Sequence, residues 1–187
     1  MTAQAGTVES TAAPNSATGP ISTGPISTGA TRTAKISERE LTLTRIIDAP
    51  RETVFRAWSD PELMQQWFAP KPYKAIRVEV DQRPGGASLI VMQGPDGVEI
   101  PCPGIYPEVV PNERLVFTDA YNKAWEPAAK PFMTAIVTFE AAGAGKTRYH
   151  VRCLHWTAED CAAHEQMGFH AGWAQCAEQL AELVARI

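Results

Sequence analysis

The sequence predicts an α+β fold in which a curved antiparallel sheet of about seven strands wraps around a long C-terminal helix. Seven segments with β-rich or alternating patterns are separated by turn residues. Two short stretches with helical apolar spacing follow the first of these segments. The last segment, about residues 158–187, contains no proline and places apolar side chains on one helical face.

The first strand and the two short helices occupy about residues 41–68. Leu41–Ile47 alternates leucine and threonine at its start, as a strand with one buried face does. Asp48-Ala49-Pro50 ends that strand, and Asp60-Pro61 starts the second helix. The apolar residues at helical spacing are Val54, Phe55 and Trp58 in the first helix and Leu63, Met64, Trp67 and Phe68 in the second.

Six further strands and the terminal helix complete the pattern. The strands are expected at about 75–81, 86–93, 98–110, 113–120, 132–140 and 146–155. Tight turns fall at Arg83–Gly86, at Pro95–Gly97 and at Pro111–Glu113, where proline and glycine punctuate the apolar runs. The apolar stripe of the terminal helix consists of Phe169, Trp173, Cys176, Leu180, Leu183 and Ile187.

The chain divides into a low-complexity tail, residues 1–35, and one domain, residues 36–187. The tail is rich in Thr, Ser, Ala, Gly and Pro and repeats one pentapeptide at Thr18–Ser22 and Thr23–Ser27. Such a composition offers too little apolar surface to offset the entropy of ordering, so we expect the tail to be disordered. The N-terminus has no basic start and no long apolar run, and its first basic residue is Arg32. We therefore expect a cytoplasmic protein.

Several motifs resemble one family in content and in order. The chain resembles the branch of the START-like (SRPBCC, helix-grip) superfamily named after the activator of the heat-shock protein 90 ATPase. The motifs are Ala49–Trp58, Ser59–Glu62, Gln66–Phe68, Arg83–Gly86, Gly94–Gly97, Glu113–Thr118, Gly172-Trp173 and Leu180–Leu183. The resemblance extends over roughly residues 40–187. It implies a helix-grip fold with a deep pocket between sheet and helix, partly closed by the two short helices.

Strand alternation and the family's layout together nominate nine residues for the pocket. They are Trp67, Phe68, Met92, Tyr106, Phe117, Cys153, His155, Met167 and Trp173. Plain core packing is the alternative reading for any one of them. As a group, they carry more aromatic and thioether surface than a minimal core needs, which favours an apolar pocket. His155 is the candidate for one hydrogen bond to a ligand at the rim, and an ordinary solvent-contacting histidine is the favoured alternative.

The sequence favours neither a metal site nor another cofactor. His150 points to the opposite strand face from Cys153 and His155, and His164 and His170 lie six residues apart on a helix. The four cysteines form no CxxC pair and are interpreted as reduced thiols. A formal net charge of −4 argues against nucleic acid or an anionic membrane as the partner.

Three functions remain open at this point. The first is binding of a small apolar or amphipathic molecule between the sheet and the terminal helix. The second, implied by the branch name, is a chaperone-associated interaction domain, with a chaperone or a second copy of the chain as partner. The third is a polyketide cyclase-like or hydrolytic enzyme. No nucleophile motif such as Gly-x-Ser-x-Gly, and no P-loop, is present to support catalysis.

Overall fold

A computed structural model describes residues 24–187, and this part of the chain forms an α+β fold. The predicted fold class is confirmed. The strands are β1 (Thr31–Ser37), β2 (Glu40–Ile47), β3 (Lys74–Val80), β4 (Ala87–Gln93), β5 (Glu99–Val110), β6 (Arg114–Thr118), β7 (Tyr121–Lys123), β8 (Glu126–Pro127), β9 (Met133–Ala141) and β10 (Thr147–His155). The helices are α1 (Arg51–Ser59), α2 (Pro61–Met64), α3 (Ala158–Gln166) and α4 (Phe169–Val184).

Eight strands form one antiparallel sheet in the order β1-β2-β10-β9-β6-β5-β4-β3, and β7 pairs with β8. Directly opposed residues share a face of the sheet. One such row runs Leu43, Val151, Val137 and Leu115 across four strands, and all four side chains are fully buried. We call this side of the sheet the inner face. The hydrophobic core lies between the inner face and the helices α1 and α4.

Strand β1 begins inside the segment for which the sequence predicts disorder. Thr31–Ser37 pairs with β2 in antiparallel register. The buried Arg45 of β2 donates to the Thr31 hydroxyl at 2.6 Å and pairs with Glu178 of α4 at 2.6 Å, so it ties β1 to the helix. The predicted disorder therefore does not hold for residues 31–35, because they pair with β2 in antiparallel register. Residues 1–23 of that prediction lie outside the described residues.

The predicted turn at Arg83–Gly86 is confirmed, and the structure shows why it needs glycine. Gly85 has φ +80°, and a Cβ on Gly86 would lie 1.9 Å from the Asp81 carbonyl oxygen. The Arg83 guanidinium donates to the Asp81 carboxylate at 3.1 Å and braces the loop. The residues Arg83–Gly86 are thus explained by the tight turn that connects β3 and β4.

The terminal helix is interrupted, whereas the sequence predicts one helix over 158–187. Gly168 adopts φ +97° and separates α3 from α4. At the end of α3, the backbone N–H of Gly168 donates to the Glu165 carbonyl at 3.1 Å, which is typical of a left-handed helix terminus. The apolar pattern continues across this break, so periodicity does not reveal it.

Two identical substitutions four residues apart test this break. Gly168→Ala should destabilise the fold by about 1–2 kcal/mol, because an L-residue is strained at positive φ. Gly172→Ala should stabilise it by about 0.5–1 kcal/mol, because Gly172 lies within α4. The added Cβ would meet Pro70 at 3.7 Å, an ordinary contact. Urea unfolding of both variants measures the two free energies, and the same sign for both would contradict the assigned helix boundary.

Candidate functional site

The indole ring of Trp58, at the end of α1, is the centre of an aromatic cluster on the inner face. It is 1% exposed. Its ring centroid lies 4.8 Å from Trp67, 5.9 Å from Phe68, 5.7 Å from Phe117 and 6.4 Å from Tyr149. These partners come from the segment after α2 and from the strands β6 and β10. The cluster therefore fixes the short helices against the sheet.

The segment after α2 is held to α4 by side-chain hydrogen bonds to its carbonyl groups. The Gln179 amide donates to the carbonyls of Trp67 at 2.8 Å and Ala69 at 2.9 Å. The Cys176 thiol donates to the Phe68 carbonyl at 3.0 Å. Because α4 supplies donors to three consecutive carbonyls, the positions of Trp67 and Phe68 depend on the position of the helix.

Replacing the amide donor of Gln179 with a carboxylate tests this connection. Gln179→Glu replaces the amide donor with a carboxylate that faces two carbonyl oxygens, so it should cost about 2–4 kcal/mol of unfolding free energy. Gln66 is the matched control, since its amide donates to the Glu62 carbonyl at 3.2 Å on the exposed surface. Gln66→Glu should change stability by less than about 0.5 kcal/mol. Equal effects in chemical denaturation would show that the buried bonds are unimportant.

Among the described residues, eleven apolar side chains pack on the core but are only partly buried. Five of them are Phe68, Met92, Phe117, Met133 and Trp173, and we call these five the inner-face cluster. They project from β4, β6, β9, α4 and the segment after α2. Most contacts of α4 with the main sheet are to β1 and β2, at one edge of the sheet. The inner-face cluster thus lies where helix and sheet are less tightly packed.

Tyr106 of β5 adds a buried polar group near Gln82. Its side chain is 1% exposed, and its hydroxyl lies near the side chains of Ser88 and Gln82. Gln82 in turn donates to the Trp58 carbonyl at 2.5 Å. Burial raises the pKa of Tyr106 above its ordinary value. The buried phenol is therefore neutral near neutral pH.

Two histidines form a hydrogen-bonded pair at the end of the inner face. His155 of β10 and His164 of α3 are 5% and 9% exposed, and His155 Nε2 lies 2.9 Å from His164 Nδ1. His155 Nδ1 lies 3.3 Å from the Arg39 carbonyl oxygen. Phe132 contacts both rings, with centroid separations of 5.6 Å and 5.2 Å. The pair is thus enclosed by aromatic and backbone groups.

Burial makes both histidines weak bases. Desolvation, together with the neighbouring His155, lowers the pKa of His164 to about 4. Desolvation also lowers the pKa of His155, opposed by the Arg39 carbonyl and by Asp160 and Asp119. Lys35 acts in the same direction as desolvation on His155. The pair is neutral near neutral pH.

This depressed pKa makes stability depend on pH. The ordinary pKa of histidine is 6.5, so between that value and about 4 the unfolded chain binds a proton that native His164 does not bind. The stability gained because native His164 stays neutral is complete above pH 6.5 and is lost as the pH falls. Between about pH 7 and about pH 5, wild type should lose roughly 2 kcal/mol more than His164→Phe. Urea unfolding across this range measures both slopes, and parallel slopes would refute the assignment.

The structure brings together some of the nine nominated residues and separates others. Phe68, Met92, Phe117 and Trp173 lie in the inner-face cluster. Trp67, Tyr106, Cys153 and His155 are buried. Met167 is 76% exposed at the end of α3, so the nomination of Met167 as a pocket residue is wrong. The left-handed turn at Gly168 places it outside.

Trp58, Met133 and His164 are not among the nine nominated residues. The sequence does carry a signal for Trp58 and Met133, since helical spacing and strand alternation place both on the inner side. His164 carries no comparable signal, because its pairing with His155 depends on how α3 turns back over β10. His155 was expected to meet a ligand, yet both of its ring nitrogens have protein partners.

The thiols of the site are not activated. Cys153, Cys161 and Cys176 are buried and free, and Cys102 is half-buried. Burial raises the pKa of all four, that of Cys176 to about 12. Within residues 24–187, no group of three or more His, Cys, Asp or Glu side chains is arranged to hold a metal ion. No helix in the same range is long and apolar enough to cross a membrane.

Two surface clefts lie away from the inner face. One, of about 580 Å³, is on the opposite side of the sheet, between Gly24–Ile26 and the strands β1, β2 and β10; its wall includes Thr44 and His150. The other, of about 430 Å³, lies beside the start of α1 and includes Arg51 and Glu113. Charged and hydroxyl side chains contribute much of both linings, unlike the inner-face cluster.

Comparison with known families gives a classification that agrees with this geometry. The family model described as Activator of Hsp90 ATPase homolog 1-like protein matches residues 48–185, which is most of the chain. The chain belongs to this family. The resemblance in sequence to the START-like, helix-grip proteins is therefore confirmed. The matched range includes α1, the inner-face cluster and the histidine pair.

Solved structures support the same fold. A protein from Nitrosomonas europaea is 39% identical, with a TM-score of 0.77 over 80% of this chain and 96% of that one. An Arthrobacter aurescens protein (20% identity, TM-score 0.72) covers 83% of this chain and 92% of its own. An AHSA1-like protein from Aeromonas hydrophila (21% identity, TM-score 0.58) covers 77% and 92%. The latter two show the fold alone. No curated protein matched the sequence.

Proposed function

We propose that the protein binds a small apolar or amphipathic molecule between the inner face of the sheet and α4. One observation carries this proposal. Five large apolar side chains of the inner-face cluster remain partly exposed although they pack directly on the core. A fully closed core would bury them, because each buried aromatic or methionine side chain stabilises the fold by about 1.5–3 kcal/mol.

The mechanism is burial of ligand surface without a chemical step. A ligand in this position would contact the thioethers of Met92 and Met133 and the rings of Phe68, Phe117 and Trp173. Methionine adapts to irregular shapes, and aromatic rings offer flat contact surface. The segment after α2, fixed by Gln179, would form one wall of the site. Such a site accepts apolar molecules and fixes them with few polar contacts.

Binding of an uncharged fluorescent probe tests the proposal. N-phenylnaphthylamine should bind the folded protein saturably with enhanced emission. Met92→Trp should weaken binding about tenfold by filling the inner-face cluster. Met167→Trp is the matched control, since Met167 is 76% exposed, and it should leave the affinity unchanged.

Both variants must keep the wild-type thermal transition. The proposal fails if the probe shows only nonsaturable background binding, or if the two substitutions have the same effect on a folded protein.

The family name favours a second candidate, a chaperone-associated interaction domain. In that case the exposed surface, rather than the inner face, would carry the function, and the Met92 substitution would be silent. Isothermal titration against a purified heat-shock protein 90 distinguishes the two. Heat evolved with that partner, together with no saturable probe binding, would place the interaction domain ahead of ligand binding.

A further inference from the structure

Hydrogen bonding of the histidine pair determines which of the ring nitrogens is left without a proton. The Arg39 carbonyl can only accept a hydrogen bond, so His155 Nδ1, 3.3 Å away, carries its proton. In the neutral ring, Nε2 of His155 is then an acceptor, and His164 Nδ1 at 2.9 Å donates to it. The remaining nitrogen, His164 Nε2, therefore carries a lone pair. These proton positions follow from the hydrogen-bond network.

This lone pair is available to a bound molecule. His164 Nε2 has no hydrogen-bond partner among the described residues. It is also absent from the set of unpartnered side-chain atoms that are fully shielded from solvent, so it keeps some accessible surface. The rings of Phe132 and Phe169 flank it, with centroid separations of 5.2 Å and 5.0 Å from the His164 ring. Phe169 in turn contacts Trp173 of the inner-face cluster at 5.7 Å. The His164 ring is thus in contact with aromatic rings that connect it to Trp173 of the inner-face cluster.

We propose that His164 Nε2 is the hydrogen-bond acceptor that orients the ligand, and that the ligand is a flat apolar molecule with a neutral donor such as a phenolic hydroxyl. This inference rests on the binding function proposed above. A carboxylate would place oxygen lone pairs against the nitrogen lone pair, so fatty acids and aromatic acids are disfavoured. His155 is a positioning residue, because it fixes the tautomer of His164 without contacting the ligand.

A matched series of naphthalene, naphthol and naphthoate tests the inference at neutral pH. The three molecules share one apolar body and differ in their polar group. Naphthol should bind about fivefold more tightly than naphthalene, the usual net effect of one hydrogen bond. Naphthoate should bind more weakly than both. His164→Phe should remove the advantage of naphthol and bring its affinity to that of naphthalene.

A second measurement does not depend on the variant. Long-range proton–nitrogen correlation spectra distinguish ring nitrogens with and without a proton, so in wild type they should show His164 Nε2 unprotonated. Its resonance should move on addition of naphthol and stay in place on addition of naphthalene.

The outcomes separate the two proposals. If naphthalene binds at the inner-face cluster and naphthol has no advantage, or if naphthoate binds best, the acceptor role is refuted and the binding function stands. A protonated His164 Nε2 in the free protein would refute the acceptor role as well. If none of the three binds, the binding function itself is wrong, and the inference falls with it.

Discussion

The packing of Trp58 is the interaction on which the rest of the structure depends. Its ring meets four aromatic side chains, and its own carbonyl accepts a hydrogen bond from Gln82. The neighbouring Ala57 carbonyl accepts the Trp67 indole N–H at 2.9 Å. A single turn of α1 is therefore bonded to the segment after α2 and to the loop after β3. Through Trp67, the same turn is coupled to Gln179 of α4.

This arrangement divides the inner face into two parts. Around Trp58 and the row from Leu43 to Leu115, side chains are fully buried and the packing is closed. Towards Met92 and Trp173, the apolar side chains keep contact with solvent. The closed part supplies the stability that the open part lacks. A rigid core beside an incompletely packed one is what a binding site without large rearrangement requires.

The sequence predicted the elements with local signals and missed the features set by tertiary contacts. Alternation and turn residues located the strands of the main sheet apart from β1, and the hairpin turns followed from proline and glycine. Strand β1 was hidden by the composition around it, although Arg45 and Glu178 hold it in place. The break at Gly168 was hidden because the apolar stripe runs through it. The same break explains why Met167 was misplaced and why the contact of His164 with His155 could not be foreseen.

The chemistry of the histidine pair favours recognition over acid–base catalysis. A general base is most effective when its pKa lies near the working pH. The His164 pKa of about 4 is far below that range, and its hydrogen-bonded side-chain partner in the described chain is an imidazole rather than a carboxylate. Such a nitrogen accepts a hydrogen bond from a neutral donor but does not hold the proton. In the binding function proposed above, the same burial that weakens His164 as a base leaves its Nε2 as a hydrogen-bond acceptor.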